Sequence, residues 1–351
     1  MKTHAMVLRE HGGPEVLVPE EVELGPLRPG HVRIRVRAVA LNHLDLWVRR
    51  GLPNLRLEYP HRLGSDIAGE IAAVGDGTTP SLPFVPFVVG QRALVNPGLS
   101  CGTCLRCLSG KDMLCKAYRI LGENTQGGYA EHIDVPTANL VPYPGDLPFS
   151  EAAAIPLVFL TAWEMLVEKA RVGPGTVVLV QAAGSGVSSA AIQIAKLHGA
   201  RVIATTGSDE KVTKALELGA DHVINNRTHD FVKEVRRLTD KQGVDVVVEH
   251  VGGETFTQSI LATARGGMVV TCGATSGFHP EIDLRQIFFR QVEVKGSTMG
   301  SKGHLFAIVR HVEEGSLRPV VGRVLPLNEV REAHRALEAR EVFGKVVLVL
   351  D

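Results

Sequence analysis

A chain of 351 residues is long for one hydrophobic core and fits about two domains. With 44% hydrophobic and 22% charged residues it is an ordinary globular composition, which excludes a disordered chain. A formal net charge of zero, without a clustered basic stripe, argues against nucleic acid as a partner.

The opening MKTHAMVLREHGGPEV scatters charge and lacks the apolar core of a signal peptide, so the expected location is the cytoplasm. Through residues 1–152, runs such as HVRIRVRAVA, DIAGEIAAVG and GYAEHIDV alternate apolar and polar residues between Gly, Pro and Asp, the pattern of a mostly antiparallel domain half exposed to water. One short helix is expected from Leu44 to Arg50, stopped by Gly51. His4 and His61 read as surface residues.

Within the lobe 96–122, Cys101, Cys104, Cys107 and Cys115 fall in a Gly-rich CGTCLRCLSGKDMLC segment. Gaps of two or a few residues let a short loop wrap four thiolates around one tetrahedral zinc, and Arg106, Lys111 and Lys116 would favour the ionised sulfurs. Disulfides suit a reducing compartment poorly, and the last gap together with the missing Pro after Cys115 departs from a ferredoxin run. Four cysteines leave no open coordination position, so this zinc is expected to be structural. Cys272, at the end of MVVTC, reads as a small core residue.

The apolar stretch Ala152 to Trp163, broken by Pro156, falls short of the roughly 20 residues that cross a bilayer. It reads as a core helix, and no membrane partner is expected. From Thr176, the runs TVVLVQA, RVIATT, DHVIN, VDVVVEHV, GGMVVTCGA and VEVKGS alternate with helical patterns, the signature of a doubly wound parallel sheet in an α/β domain over 153–292. Residues 293–351, with LNEVREAHRALEARE and GKVVLVL, are expected to return to the first domain.

After the first of those strands, AAGSGVSS stands where a Rossmann turn presents backbone N–H groups to a pyrophosphate, although only Gly184 and Gly186 remain of its glycines. Ser185 and Val187 lie in the same turn. The second strand ends in Thr205, Thr206, Gly207 and Ser208, without the acidic residue that accepts from an NAD ribose. Ser208 with Lys211 could receive a 2′-phosphate instead, so NADP(H) is favoured over NAD(H).

These features together, with GSDIAGEIAAVG, GGYAEH, GSTMGSKG and the closing GKVVL, resemble the medium-chain dehydrogenase/reductase family of zinc alcohol dehydrogenases and quinone oxidoreductases. The resemblance spans nearly the whole chain. It implies a GroES-like catalytic domain completed by the C-terminus, an inserted Rossmann domain, and a homodimer or homotetramer. It also implies that His43 contacts the pyrophosphate and that Thr161 and Thr206 belong to the cofactor set. The alcohol dehydrogenases bind a second, catalytic zinc through positions that correspond here to Asn42, Ser65 and Leu157, and their proton-relaying hydroxyl corresponds to Leu44. These substitutions look like those of the quinone oxidoreductases, which need no metal.

The expected reaction is hydride transfer from NAD(P)H to a quinone, enone or reactive aldehyde, with Asn42 stabilising the developing oxyanion and Trp47 walling the substrate. Asn42, Asp45, Trp47 and Ser65 are the candidate catalytic residues, while Asp45 and Asp66 fit a structural role at least as well. Two alternatives stand beside this expectation: an alcohol dehydrogenase with a non-standard catalytic metal site, and an NADPH-binding protein without turnover.

Overall fold

The computed structural model describes residues 1–78 and 87–350. It divides into two compact units, 1–157 with 301–351, and 158–300. The last stretch of chain therefore belongs to the first unit, but the second unit runs past residue 292. The reason is strand Glu293–Gly296, which pairs in parallel with Thr263–Thr271 and so completes the second unit's sheet.

In the first unit a seven-stranded sheet has the order Val321–Pro326, Lys345–Val349, His31–Ala40, Asp66–Val74, Arg92–Val95 and Leu140–Val141, with His132–Pro136 also paired to His31–Ala40. All pairings are antiparallel except that of Val321–Pro326 with Lys345–Val349. The alternation in HVRIRVRAVA is the cause of its burial pattern: Val32, Ile34 and Val36 are at most 1% exposed. Each such side chain contributes roughly 1.5–3 kcal/mol by leaving water. Arg33 lies buried between them because both oxygens of Asp134 accept from it, at 2.7 and 2.8 Å. Helix Val330–Glu338 packs Val330, Ala333, His334 and Ala336 inward.

The second unit holds a six-stranded parallel sheet in the order His222–Asn225, Arg201–Thr206, Val177–Val180, Val244–Glu249, Thr263–Thr271 and Glu293–Gly296. This is the doubly wound order, whose direction reverses between Val177–Val180 and Val244–Glu249. Helices on both faces explain why these strands are apolar without alternation: Val178, Leu179 and Val180 are all fully buried. The run DLRQIFFR yields only one turn, Arg285–Phe288, and leaves Phe288 and Phe289 exposed.

The core helix is longer than the apolar run suggested. The helical stretch Phe149–Lys169 covers 21 residues, long and apolar enough by composition to cross a membrane, yet 78% of its most apolar window is buried in the protein. The apolar run ended at Trp163, before the charged Glu164, but that carboxylate is buried and pairs with Lys169 at 3.6 Å.

Candidate functional site

The four clustered cysteines converge. Cys104 Sγ lies 3.5 Å from Cys107 Sγ, Cys115 Sγ lies 3.5 Å from Cys101 Sγ, and all four sulfurs are within 4.8 Å of one another. Bonds of about 2.3 Å around a tetrahedral zinc separate its sulfurs by about 3.8 Å, so the cage matches that ion. Disulfides, at about 2.05 Å, do not match it. The Cys101 thiol is pulled down to about 6, first by backbone N–H groups of Thr103 and Cys104 and by the neighbouring Cys115. For Cys101 the pull comes from local backbone geometry and not from Arg106, Lys111 or Lys116.

A second polar cluster is buried in the first unit. Helix His43–Arg50 begins after Asn42, whose backbone N–H is taken by Asp45 Oδ2 at 2.7 Å. Asp45 Oδ1 accepts from Gly64 N at 2.8 Å, tying the helix start to the Gly64-Ser65-Asp66 segment. Gly64 has φ +93°, and a Cβ there would collide with Tyr129 and Val39 at 2.6 and 2.8 Å, so only glycine fits the turn.

With its backbone capped by Asp45, the Asn42 side chain is left for other partners. Its Nδ2 donates to Asp66 Oδ2 at 2.9 Å, and its Oδ1 accepts from Lys345 Nζ at 2.6 Å. Lys345 also pairs with Asp66 Oδ2 at 2.8 Å, and Asp66 Oδ1 accepts from Leu157 N at 2.8 Å. Lys345 and Asp66 are 4% and 0% exposed, so the pair is desolvated and is held by its mutual attraction and these hydrogen bonds, with the Asp45 carboxyl near enough to interact with both. Ser65 is fully buried and its Oγ has no partner among the described residues. Burial pushes the Asp45 carboxyl up to about 6, against the opposing pull of the Asn42 and Gly64 N–H groups. Trp47 and His43 are half-buried on the same helix, with ring centroids 6.5 Å apart.

The sequence reading missed Lys345. A lysine at the buried start of an apolar strand was the available signal. It also missed a buried chain in which Arg49 Nη1 donates to His334 Nδ1 at 2.9 Å and His334 Nε2 meets Tyr129 OH at 3.1 Å, closed by the Arg49–Glu338 ion pair. His61 is not a surface residue: it is 2% exposed, its Nε2 lies 3.2 Å from Gly122 O, and burial lowers its pKa. Gly122 O can only accept, which fixes the His61 proton on Nε2.

The remaining cofactor candidates lie in the second unit. Gly184 and Ser185 lie in the turn between strand Val177–Val180 and helix Gly186–Leu197, Gly186 and Val187 open that helix, and its N-terminus is capped by Ser185 Oγ accepting from Ser188 N at 3.1 Å. Thr206 ends its strand, 2% exposed, and Ser208 stands at the start of helix Asp209–Glu217, which carries Lys211. Thr161 is buried in helix Pro156–Trp163. Cys272 is half-buried and not the core residue expected of it, and desolvation with the nearby Glu249 pushes its thiol up to about 12.

Two family models match this chain. The alcohol dehydrogenase GroES-like domain covers residues 28–145, and the zinc-binding dehydrogenase model covers 186–314. A 2-haloacrylate reductase from a Burkholderia species is 31% identical over 98% of both chains. The human quinone oxidoreductase is 28% identical over 97% of this chain and 96% of its own. A crystal structure of an NAD-dependent alcohol dehydrogenase superposes with a TM-score of 0.95 at 53% identity, covering 99% of this chain and 100% of that one. The two models together span most of the chain, and with these relatives they show that the chain belongs to the medium-chain dehydrogenase/reductase family as an oxidoreductase of the zinc-type alcohol dehydrogenase and quinone oxidoreductase kind.

Proposed function

We propose that this enzyme reduces an activated carbonyl compound, a quinone, enone or reactive aldehyde, with NADPH, and that its zinc is structural. The observation that carries the reading is the ammonium of Lys345 beside Asn42 Oδ1 and Asp66 Oδ2. A dication among Asn42, Ser65 and Leu157 would meet this fixed positive charge and would find an amide, a hydroxyl and a leucine as its ligands, a donor set that does not fit zinc. The nicotinamide supplies the hydride when bound.

What the chain supplies is hydrogen-bond donors for the oxygen that gains charge. Lys345 has three N–H groups, two of which are spent on Asn42 and Asp66; Asn42 keeps a second N–H, and Ser65 keeps its hydroxyl. Such donors, fixed before reaction, favour the oxyanion without reorganisation. An acceptor already polarised by conjugation needs no stronger Lewis acid. The named activities of the quinone oxidoreductase and haloacrylate reductase relatives support this class of substrate.

The NADP(H) preference rests on Lys211 and on Arg227, whose charge faces Lys211 and whose Nε would lie 3.4 Å from a Cβ built on Gly207. Two cations beside the end of the second strand suit a 2′-phosphate. Association into a homodimer or homotetramer is supported by the edge strand Glu293–Gly296 and by exposed Phe278, Leu284, Phe288, Phe289 and Val294 near that end of the fold. The burial of helix 149–169 supports a cytoplasmic, membrane-free enzyme.

The test is a panel of quinones, enones, aldehydes, ketones and alcohols run with both nicotinamide cofactors, alongside metal analysis. The reading expects turnover of conjugated acceptors with a single zinc per chain. Two zinc ions with chelator-sensitive alcohol oxidation would replace it by the alcohol dehydrogenase alternative, and cofactor binding without any turnover would replace it by the binding protein.

A further inference from the structure

At the point where the parallel sheet reverses its order, the ends of strands Val177–Val180 and Val244–Glu249 bring three side chains together. Ser188 Oγ donates to Gln181 O at 2.6 Å. A carbonyl oxygen carries no hydrogen, so that contact consumes the only proton of the Ser188 hydroxyl. His250 Nε2 lies 2.8 Å from the same Ser188 Oγ. Because Ser188 has no second proton to give, the imidazole must be the donor, and Nε2 carries a hydrogen in either charge state of the ring. The same Nε2 lies 3.0 Å from Ser185 Oγ, which also accepts from Ser188 N at 3.1 Å.

Ser185 Oγ is therefore an acceptor twice over, and its own hydrogen has neither the ring nitrogen nor the helix N–H to point at. It stands at the cap of a twelve-residue helix, half-buried, while Ser188 and His250 behind it are 0% and 8% exposed. We infer that His250 is a positioning residue that fixes Ser185 as a hydroxyl donor for the cofactor's pyrophosphate. The inference rests on the cofactor reading given above. It gives a reason for Ser185 and Ser188 in places where the dinucleotide fingerprint has glycine: the glycines give only room and backbone N–H groups, whereas here a side-chain donor is added and its rotor is locked. Without the lock, the Ser185 hydroxyl could spend its hydrogen on the protein.

The test measures the dissociation constants of NADPH, NADH and ADP-ribose by fluorescence and calorimetry for the wild type, Ser185→Ala, His250→Leu, His250→Gln and the double variant Ser185→Ala/His250→Leu. ADP-ribose carries the pyrophosphate without the nicotinamide, so a loss there places the effect at the phosphates. Each of Ser185→Ala and His250→Leu is expected to weaken all three ligands about tenfold, the worth of one charge-assisted hydrogen bond. The double variant should be no weaker than either single one. Glutamine, whose amide N–H reaches the place of Nε2, should restore binding to within about twofold of wild type.

Additive losses, a His250→Gln variant as weak as His250→Leu, or unchanged binding by Ser185→Ala would each overturn the inference. If His250→Leu fails to fold, unchanged binding by Ser185→Ala still overturns it, and His250→Gln measured against wild type still tests the part of the ring. A wild type that binds none of the three ligands would instead sink the cofactor reading itself.

Discussion

Replacing Lys345 by methionine keeps the length of its apolar stem and removes only the ammonium. Asp66 then stays fully buried, with Asn42 Nδ2 and Leu157 N as its surviving partners in the cluster. Removing one member of a buried ion pair costs about 3–5 kcal/mol, because the other charge is left without compensation. The two remaining hydrogen bonds to a charged acceptor place the loss at the lower end, about 3 kcal/mol. In a unit of this size each kcal/mol moves the melting point by about 2–4 °C, so the transition should fall by about 6–12 °C in differential scanning calorimetry. The double variant Asp66→Asn/Lys345→Met removes the orphaned charge and should recover most of that loss. A Lys345→Met protein that melts with the wild type would refute the account of a desolvated, mutually dependent pair, and so would a double variant less stable than the single one.

Cys104→Ser should lower the zinc content measured by atomic absorption and the melting temperature together, while the fraction that remains folded keeps wild-type kcat; complete loss of turnover in folded protein would show that the metal is not structural. Burial, followed by the charges of Arg49 and Arg50, depresses His334 to about 3, so the folded protein keeps it neutral where an unfolded histidine takes a proton below about 6.5. Between those limits the unfolded state binds the extra proton, and stability falls on acidification by about 1.4 kcal/mol per pH unit from this group. His334→Gln should remove that slope from denaturant titrations between about pH 6 and 4, and an unchanged slope would mean the ring is protonated in the fold. Lys211→Ala and Arg227→Ala should each weaken NADPH about tenfold and leave NADH within about twofold, as separate titrations of the two cofactors would reveal.

The elements that strand and helix periodicity encode were legible from sequence, and so was the cysteine lobe, because all of its ligands fall within one short loop. Lys345 was not, since its partners are 303 and 279 positions away in the chain. Only the sheet register finds them: Ala40 lies opposite Val347 in one pairing and opposite Asp66 in the other, so a strand continued by two residues sets Asn42 against Lys345. Arg49 and His334, 285 residues apart, escaped for the same reason. His61 was misread because nothing in the run Tyr59-Pro60-His61-Arg62 signals burial, whereas the backbone pairing of His61 with Leu8 places it inside. The role of Ser188 depended on counting protons in a cluster, which no motif records.

Strand Lys345–Val349 sits inside its sheet, between Val321–Pro326 and His31–Ala40, rather than at an edge. As the chain is made, all of the second unit is present by residue 300, but the sheet of the first unit keeps a gap in its middle until residues 345–349 follow. The strand that closes the gap also brings the lysine that neutralises Asp66, so until it takes its place that carboxylate is better left in water than buried.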